Sequence, residues 1–309
     1  MDWPKTNFVK KLFQSPESRF MLGVAFKVWS ISFVAELIVG YLLYTNVRLN
    51  FYFFRAHGYE GITELKSAYF DHVLADTIDF IPYILLFHIA IFFTGLYIGY
   101  LMLRPFRRMG RYCTMVIQDA NVAYKVEEFS SYRLLTRFSE FFFDFITECR
   151  RKNKLEVRDV PTSYLGIHGP VFDGLFLLHF AFFLVIIVIV SVLVTMHFAS
   201  EIHLNTIQIA IKMIKANPKM INSFFHDQSF MIDEMWYLTA IIVVSLHVVM
   251  GLHLYNQVSG AAFGIFATMR SFLKGNFQSR IHLVGYSYLR ESTRSINKYL
   301  EWISKNVPH

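Results

Sequence analysis

Four apolar stretches, each about 20 residues or longer, constrain this chain more than any other feature. They lie at about 21–45, 81–103, 174–198 and 236–256, and each is long enough to cross a bilayer as a helix. Hydrophobic residues make up 54% of the 309 residues and charged residues 17%, against roughly 25% charged in a soluble domain. The sequence therefore predicts an all-α membrane protein with four transmembrane helices and argues against a water-soluble enzyme.

The formal net charge of +7 is distributed unevenly along the chain. Of the 30 Lys and Arg, 23 lie in 1–20, 104–173 and 257–309, and the loops 46–80 and 199–235 hold three each. The positive-inside rule then places both termini and the central segment in the cytoplasm. We expect a multi-pass protein of the cytoplasmic (inner) membrane in contact with lipid, and no nucleic-acid partner. Cys113 and Cys149 would lie in a reducing compartment and are interpreted as core residues.

The chain has the same order of parts twice, which predicts an internal duplication. Each half contains a span, an outer loop, a second span and a cytoplasmic segment, and the halves match at offsets of 152 to 154 residues. We expect a short helix or two in each outer loop. The predicted parts are a first hairpin with its N-terminal tail (1–103), a cytoplasmic unit (104–153), a linker (154–173), a second hairpin (174–256) and a second cytoplasmic unit (257–309).

Apolar residues in both cytoplasmic units follow the alternating 3-4 spacing of a coiled coil. The first-helix seams are Phe106, Met109, Cys113, Val116 and Ala120 in the first copy and Val258, Ala262, Ile265, Met269 and Phe272 in the second. The second-helix seams are Leu135, Phe138, Phe142, Phe145 and Cys149, and then Leu289, Ser292, Ile296, Tyr299 and Ile303. A helix pair with so narrow an apolar stripe must bury it against another pair. Each unit is therefore predicted to be helix, extended connector, helix.

Residues 258–302 resemble a HAMP domain. The matching blocks are Phe272-Leu273-Lys274-Gly275 at the end of the first helix, Arg280-Ile281-His282-Leu283 in the connector, and Leu289 with Ile296-Asn297-Lys298-Tyr299-Leu300 in the second helix. The first copy opens with Leu103-Arg104-Pro105-Phe106-Arg107-Arg108-Met109, which is similar to the start of HAMP helices directly after a span. Three departures stand out: the first copy lacks the helix-ending Gly, the second lacks the opening Pro, and neither has the usual Asp-Glu pair.

The resemblance implies a parallel four-helix bundle that converts a small displacement of membrane helices into a changed packing state. HAMP units normally pair between two chains, but two copies in one chain allow pairing within it, so homodimerisation becomes optional. Val116 and Met269 are predicted to face one another. The predicted HAMP-like core is Pro105, Phe106, Met109, Cys113, Val116, Phe138, Phe142, Phe145, Ala262, Ile265, Met269, Phe272, Gly275, Ile281, Leu283, Leu289, Ile296 and Tyr299.

Ionisable residues inside the spans are candidates for function, because they are expensive to place in lipid. Glu36, His88 and His247 lie at similar predicted depth in the outer half of the membrane, where a cluster could exchange protons, hold a metal or sense the proton gradient. The alternative is that each side chain only forms a hydrogen bond between helices.

Two further pairs of residues are candidate sites. His179 and His253 lie in the inner half and are candidate ligands of b-type haem, but the histidines do not repeat between the halves. A duplicated haem protein would keep its ligands in both halves, so we expect no cofactor. Gly99 and Gly251 coincide at offset 152 just before the first cytoplasmic helices, which predicts close helix approach or a flexible junction.

The sequence contains no P-loop, nucleophile elbow, HExxH or CxxC spacing, so we expect no enzyme activity. No kinase, cyclase, methyl-accepting or protease segment follows Trp302, so output is expected from a separate signalling or effector protein. The leading hypothesis is a non-catalytic signal-relay or scaffold subunit. The alternatives are a proton-coupled or b-haem redox or transport subunit, and an accessory subunit that anchors a larger complex.

Overall fold

The computed structural model describes residues 15–56, 62–119, 122–124, 133–169, 174–213 and 218–308. Within these ranges every regular element is a helix, as the sequence predicts. The helices are α1 (Pro16–Ala56), α2 (Ile62–Gln118), α3 (Arg133–Lys152), α4 (Thr162–Leu165), α5 (Gly174–Met213), α6 (Pro218–Leu273) and α7 (Arg290–Asn306), with a 3-10 turn at Ser287–Leu289.

Four of these helices, α1, α2, α5 and α6, are long and apolar enough to cross a membrane. Large apolar side chains are exposed along each of them, including Leu37 (57%), Phe93 (64%), Val185 (53%) and Ile241 (63%). Exposed apolar surface of this extent is unstable in water and stable against lipid. The chain is therefore a multi-pass membrane protein with four spanning helices.

The outer segments 46–80 and 199–235 are not loops with short helices, and that prediction was wrong. Helix α1 continues to Ala56 before α2 begins at Ile62, and α5 continues to Met213 before α6 begins at Pro218. On α1 the buried positions Val47, Asn50 and Phe51 continue the inward-facing stripe for two turns beyond the predicted span. No Gly or Pro occurs between 46 and 56 to end the helix.

Contacts within the chain divide it into two compact units. The bundle unit consists of Met1–Ala25, Gly95–Phe183 and Gly251–His309, and the span unit consists of Phe26–Thr94 and Leu184–Met250. The boundaries fall within α1, α2, α5 and α6.

The core of the bundle unit consists of the four predicted seams. Every seam residue within the described ranges is at most 5% exposed, and Ala120 lies outside those ranges. Aromatic contacts show that the helices share one direction. Tyr112 of α2 packs on Phe143 of α3 (ring centroids 4.7 Å apart), while three residues earlier on α2 Met109 Sδ accepts a hydrogen bond from Ser139 (3.0 Å). Because the contacts advance together along both helices, α2 and α3 are parallel.

Helices α6 and α7 also run in the same direction, because the connector between them returns along α6. Gly275 ends α6 with φ +94°, and the N–H groups of Gly275 and Asn276 donate to carbonyls of the last helical turn (3.1 and 3.2 Å), a left-handed helix cap. The connector then returns along α6, since Leu283 lies against Gly264 and Tyr286 against Gly260. Helix α7 therefore starts beside Gln257 and Gly260 of α6 and runs parallel to the final turns of that helix.

Contacts also join the helix pair α2–α3 to the helix pair α6–α7. Phe138 of α3 packs on Phe266 of α6 (4.5 Å between centroids), and Phe142 packs on Phe272 (5.9 Å). A Cβ atom built on Gly110 of α2 would lie 2.9 Å from the Cα of Ser292 in α7. Helices α2, α3, α6 and α7 thus bury their seams together within one chain.

The predicted linker 154–173 contains an extended strap, residues 155–160, that packs on the bundle. Leu155 N–H donates to the Pro308 carbonyl (2.7 Å), and Arg158 N–H donates to the Leu273 carbonyl (3.0 Å). Leu155 and Val160 are each 4% exposed. The strap therefore joins the end of α6 to the segment after α7.

Candidate functional site

The span unit contains a close polar contact between two predicted site residues. Glu36 Oε2 lies 2.8 Å from His88 Nε2, and the side chains are 19% and 12% exposed. Glu36 is the one Asp, Glu, Lys, Arg or His between Lys27 and Arg48, and His88 is the one between Asp79 and Arg104. Each is nine residues or more from the nearest of those charges, so the pair lies well inside two stretches that have no other residue of these five types. A lone charge there is strongly disfavoured, and each group compensates the other.

Aromatic rings shield this pair. Trp29, Phe33 and Phe87 lie with ring centroids 5.7 to 5.9 Å from the imidazole of His88. An ionised Glu36 beside a protonated His88 has a net charge of zero. A protonated Glu36 beside a neutral His88 has the same net charge. The proton can therefore lie on either Glu36 or His88 without changing the charge that the surroundings must accommodate. Chemically, the arrangement can hold one exchangeable proton away from water.

The third residue of the predicted cluster, His247, is held differently. Its Nδ1 lies 2.9 Å from the carbonyl oxygen of Val243, one turn earlier on α6, and its side chain is buried. Within the described part of the chain, no three His, Cys, Asp or Glu residues are grouped so that they could hold a metal ion. The structure therefore joins Glu36 and His88 but does not form the three-residue metal site considered from the sequence.

The candidate haem ligands do not form an enclosed site. His179 and His253 are both exposed, and His253 Nε2 lies 3.2 Å from the side-chain nitrogen of Gln257, one turn along α6. A b-type haem held by two histidines needs them to face each other across a slot that covers both faces of the ring. These two positions do not fit that group.

In the described part of the span unit, three further polar contacts join α1 to other helices and were missed by sequence reasoning. Each involves a residue of the inward face of α1. Two of these α1 residues, Asn46 and Asn50, are four residues apart. The contacts are Ser32 to Ser191 (3.0 Å), Asn46 to His203 (3.3 Å) and Gln228 to Asn50. Polar residues at i and i+4 in an otherwise apolar helix are the signal that would have found them.

The predicted junction glycine Gly99 lies where α1 and α2 approach closely. A Cβ atom built on Gly99 would be 2.9 Å from the Met21 Cα, and one built on Gly95 would be 2.6 Å from the Ala25 Cα. The close-approach prediction for Gly99 is confirmed, and Gly95 extends it by one turn into a G-x-x-x-G pattern. Gly251 is buried within α6, and both helices continue through these positions without a break.

The bundle core is apolar except at a few groups. Most predicted core residues are buried, while Pro105, Gly275 and Leu283 are partly exposed. The Tyr299 side chain is fully buried, and its hydroxyl has no hydrogen-bond partner in the described structure. Burial raises the pKa of the Tyr299 phenol well above its usual value. Cys113 and Cys149 are buried and unpaired, which confirms their interpretation as core residues.

Comparison with known proteins gives no family assignment: no protein-family model, no curated protein and no solved structure matches this chain.

Proposed function

We propose that this chain is a non-catalytic signal-relay or scaffold subunit of a cytoplasmic membrane, with both termini in the cytoplasm. Two HAMP-like units would pair within the chain, and their bundle would pass a displacement of the spanning helices to a separate partner protein. One observation carries the proposal. Helices α2 (Ile62–Gln118) and α6 (Pro218–Leu273) each run without interruption from an apolar stretch into the bundle.

Continuity matters because an α-helix transmits displacement along its axis. In α2 only Arg104 and Pro105 separate the apolar stretch from the first seam residue, Phe106. A shift or rotation of α2 in the membrane would therefore reach the bundle core with little intervening chain to absorb it. Packed cores respond to such shifts by changing between discrete arrangements.

Groups in the core also support a bundle with more than one packing arrangement. The unpartnered Tyr299 hydroxyl is disfavoured by about 1–3 kcal/mol relative to a satisfied one. Ser292, at a seam position, is only 5% exposed. Turning α7 about its axis would move both polar groups toward solvent or toward new hydrogen-bond partners. This gain would reduce the free-energy difference between the present packing and the turned packing.

The pairing of the two copies can be tested with cysteines at Gly110 and Ser292. A Cβ atom on Gly110 would lie 3.2 Å from the Cβ of Ser292, and a shift of a few tenths of an ångström reaches the 3.5–4.5 Å typical of a disulfide. In a chain with Cys113 and Cys149 replaced by Ala, mild oxidation should give an intramolecular disulfide. The single-cysteine variants are the controls, and a purely intermolecular disulfide would contradict pairing within the chain.

The relay itself can be tested in the same chain without knowing the partner. The rate of disulfide formation between positions 110 and 292 reports the packing of α2 against α7. Adding Glu36→Gln in the span unit should change this rate several-fold if displacement reaches the bundle. An unchanged rate in Glu36→Gln, with the bundle disulfide still forming, would favour a passive anchoring subunit.

A second candidate function is proton-coupled transport or sensing, and the Glu36–His88 pair favours it. Protein reconstituted in vesicles loaded with a pH-sensitive dye should respond to an imposed proton gradient, and Glu36→Gln with His88→Ala should abolish the response. The matched control is Thr94→Ala, since Thr94 Oγ1 only donates to the Ala90 carbonyl of its own helix. No response from the unaltered protein would exclude transport.

A further inference from the structure

Exposed arginines cluster in the bundle unit just beyond a spanning stretch. On α2, Arg104, Arg108 and Arg111 follow residues 80–103, which contain no Asp, Glu, Lys or Arg. The three arginines lie at i, i+4 and i+7, so they form one stripe along the helix. Arg108 and Arg111 are exposed, and so are Arg290 and Arg294 at the start of α7. We call these five arginines the basic collar.

Three contacts show that both stripes of the collar lie at the same level. The Cα of Ser292 lies against Gly110 of α2, the Tyr288 hydroxyl donates to the Gln257 carbonyl of α6 (3.2 Å), and Tyr288 stacks on Phe20 of α1 (centroids 4.2 Å apart). Gly110 is about 9 Å along α2 from Arg104 at 1.5 Å per residue. Arg290 and Arg294 then lie about 6 and 12 Å beyond the level of Arg104.

Among the described residues, the acidic side chains near the collar include Glu17 and the exposed Glu291, which lies between Arg290 and Arg294 in the sequence. Glu17, in the first turn of α1, is bound to Arg107 at 2.6 Å, and Arg107 is not a member of the collar. Within the described ranges, Arg111, Arg290 and Arg294 form no ion pair. Arg107 with Glu17 makes a neutral pair, so among these described side chains the five collar arginines exceed the one remaining carboxylate, Glu291.

The distances match those of a bilayer surface. Headgroups extend roughly 5–7 Å beyond the hydrocarbon on each side, and charges interact over about 8 Å at physiological ionic strength. Arginine is suited to phosphate because its planar guanidinium donates two parallel hydrogen bonds. We propose that the basic collar binds the phosphate of anionic phospholipid headgroups and thereby attaches both α2 and α7 to the membrane surface.

The consequence is specific to this bundle, since α2 belongs to the first copy and α7 to the second. Headgroups bound across the Gly110–Ser292 contact would link the two copies at the point where the bundle begins. The inference depends on the multi-pass membrane architecture and not on the proposed relay.

The experiment compares lipid retention by two charge-matched variants of the full chain. In Arg290→Gln with Arg294→Gln the collar loses two charges. In Arg151→Gln with Lys154→Gln the same charge is lost from exposed residues at the opposite end, where Leu155 is bonded to Pro308. That end is about 30 Å beyond Arg104 along the helices. Each protein is taken from bilayers of phosphatidylcholine with phosphatidylglycerol, and the retained phosphatidylglycerol is counted by native mass spectrometry.

The collar variant should bind phosphatidylglycerol about thirtyfold more weakly, since each basic residue near an anionic surface contributes about fivefold. The distal variant should bind as the unaltered chain does. The variant Arg290→Lys with Arg294→Lys keeps the charge and should lose much less phosphatidylglycerol binding than the glutamine variant. This comparison separates the effect of charge from an effect of misfolding. Equal weakening in the collar and distal variants, or no weakening in the collar variant, would overturn the proposal.

Discussion

Replacing Gly95 by alanine tests how closely α1 and α2 approach. The added Cβ would lie 2.6 Å from the Cα of Ala25, a backbone atom, whereas carbon atoms in contact are normally 3.5–4.0 Å apart. The helices would have to separate locally by about 1 Å. Gly40 of α1 is the matched control, because a Cβ there meets nothing within 4 Å.

The two substitutions differ in one physical effect. Each replaces glycine within an α-helix and gains up to about 1 kcal/mol in helix stability. Only Gly95→Ala also overpacks an interface, which destabilises by about 1–3 kcal/mol. We therefore expect Gly95→Ala to be about 1–3 kcal/mol less stable than Gly40→Ala.

The assay is reversible unfolding in mixed micelles, with the two variants measured under the same conditions. The rate of disulfide formation between positions 110 and 292 is measured in the same preparations. If Gly95→Ala is at least as stable as Gly40→Ala, α1 and α2 do not approach as described. If it is less stable but the disulfide rate is unchanged, the close approach is real and the relay proposal loses support.

Three further substitutions test the bundle, each by its unfolding free energy. Asn297→Ala removes two hydrogen bonds to the connector backbone (2.8 and 3.0 Å) and should destabilise by about 1–3 kcal/mol, whereas the exposed neighbour Lys298→Ala should change stability by less than about 0.5 kcal/mol. Gly275→Ala and Gly285→Ala both impose a side chain at positive φ, but only position 275 has a neighbour, 3.1 Å away, so its loss should be the larger. Tyr299→Phe removes an unpartnered hydroxyl and should be neutral or stabilising by up to about 1 kcal/mol. Because burial raises the pKa of Tyr299, the unaltered protein should lose stability as pH rises above about 10, and the Phe variant should lose less.

The periodic spacing of apolar residues predicted the helices and the buried stripes well, because it shows which face of each helix is buried. The 3-4 spacing of Phe138, Phe142 and Phe145 identified the buried face of α3, and the structure leaves those residues at most 4% exposed. The apolar stretches likewise indicated the four spanning helices. In each case the pattern of apolar residues that supports the prediction lies within one helix.

Sequence reasoning was weaker where the outcome depends on how helices turn toward each other. Glu36, His88 and His247 have similar predicted depth, but depth does not specify which face of the helix a side chain occupies. The structure turns His88 toward Glu36 and leaves His247 bonded to its own helix. The G-x-x-x-G pattern at Gly95 was visible in the sequence and would have indicated the α1–α2 contact.

The strap and the seam of α3 both contact residues that are synthesised much later, and this has a consequence for synthesis of the chain. Leu155 bonds to Pro308, and the buried face of α3 is covered by Phe266 and Phe272 of α6 and by α7. These covering residues follow the end of α3 by more than 100 residues. At roughly 5–20 residues per second, the Phe-rich stripe of α3 emerges roughly 10 to 30 s before α7 is complete. During that interval the stripe must be covered by something else, and for an amphipathic helix beside a membrane the bilayer surface is the nearest apolar phase. We expect nascent chains halted before α6 to be bound to the membrane surface through α3, and chains completed through Pro308 to release it.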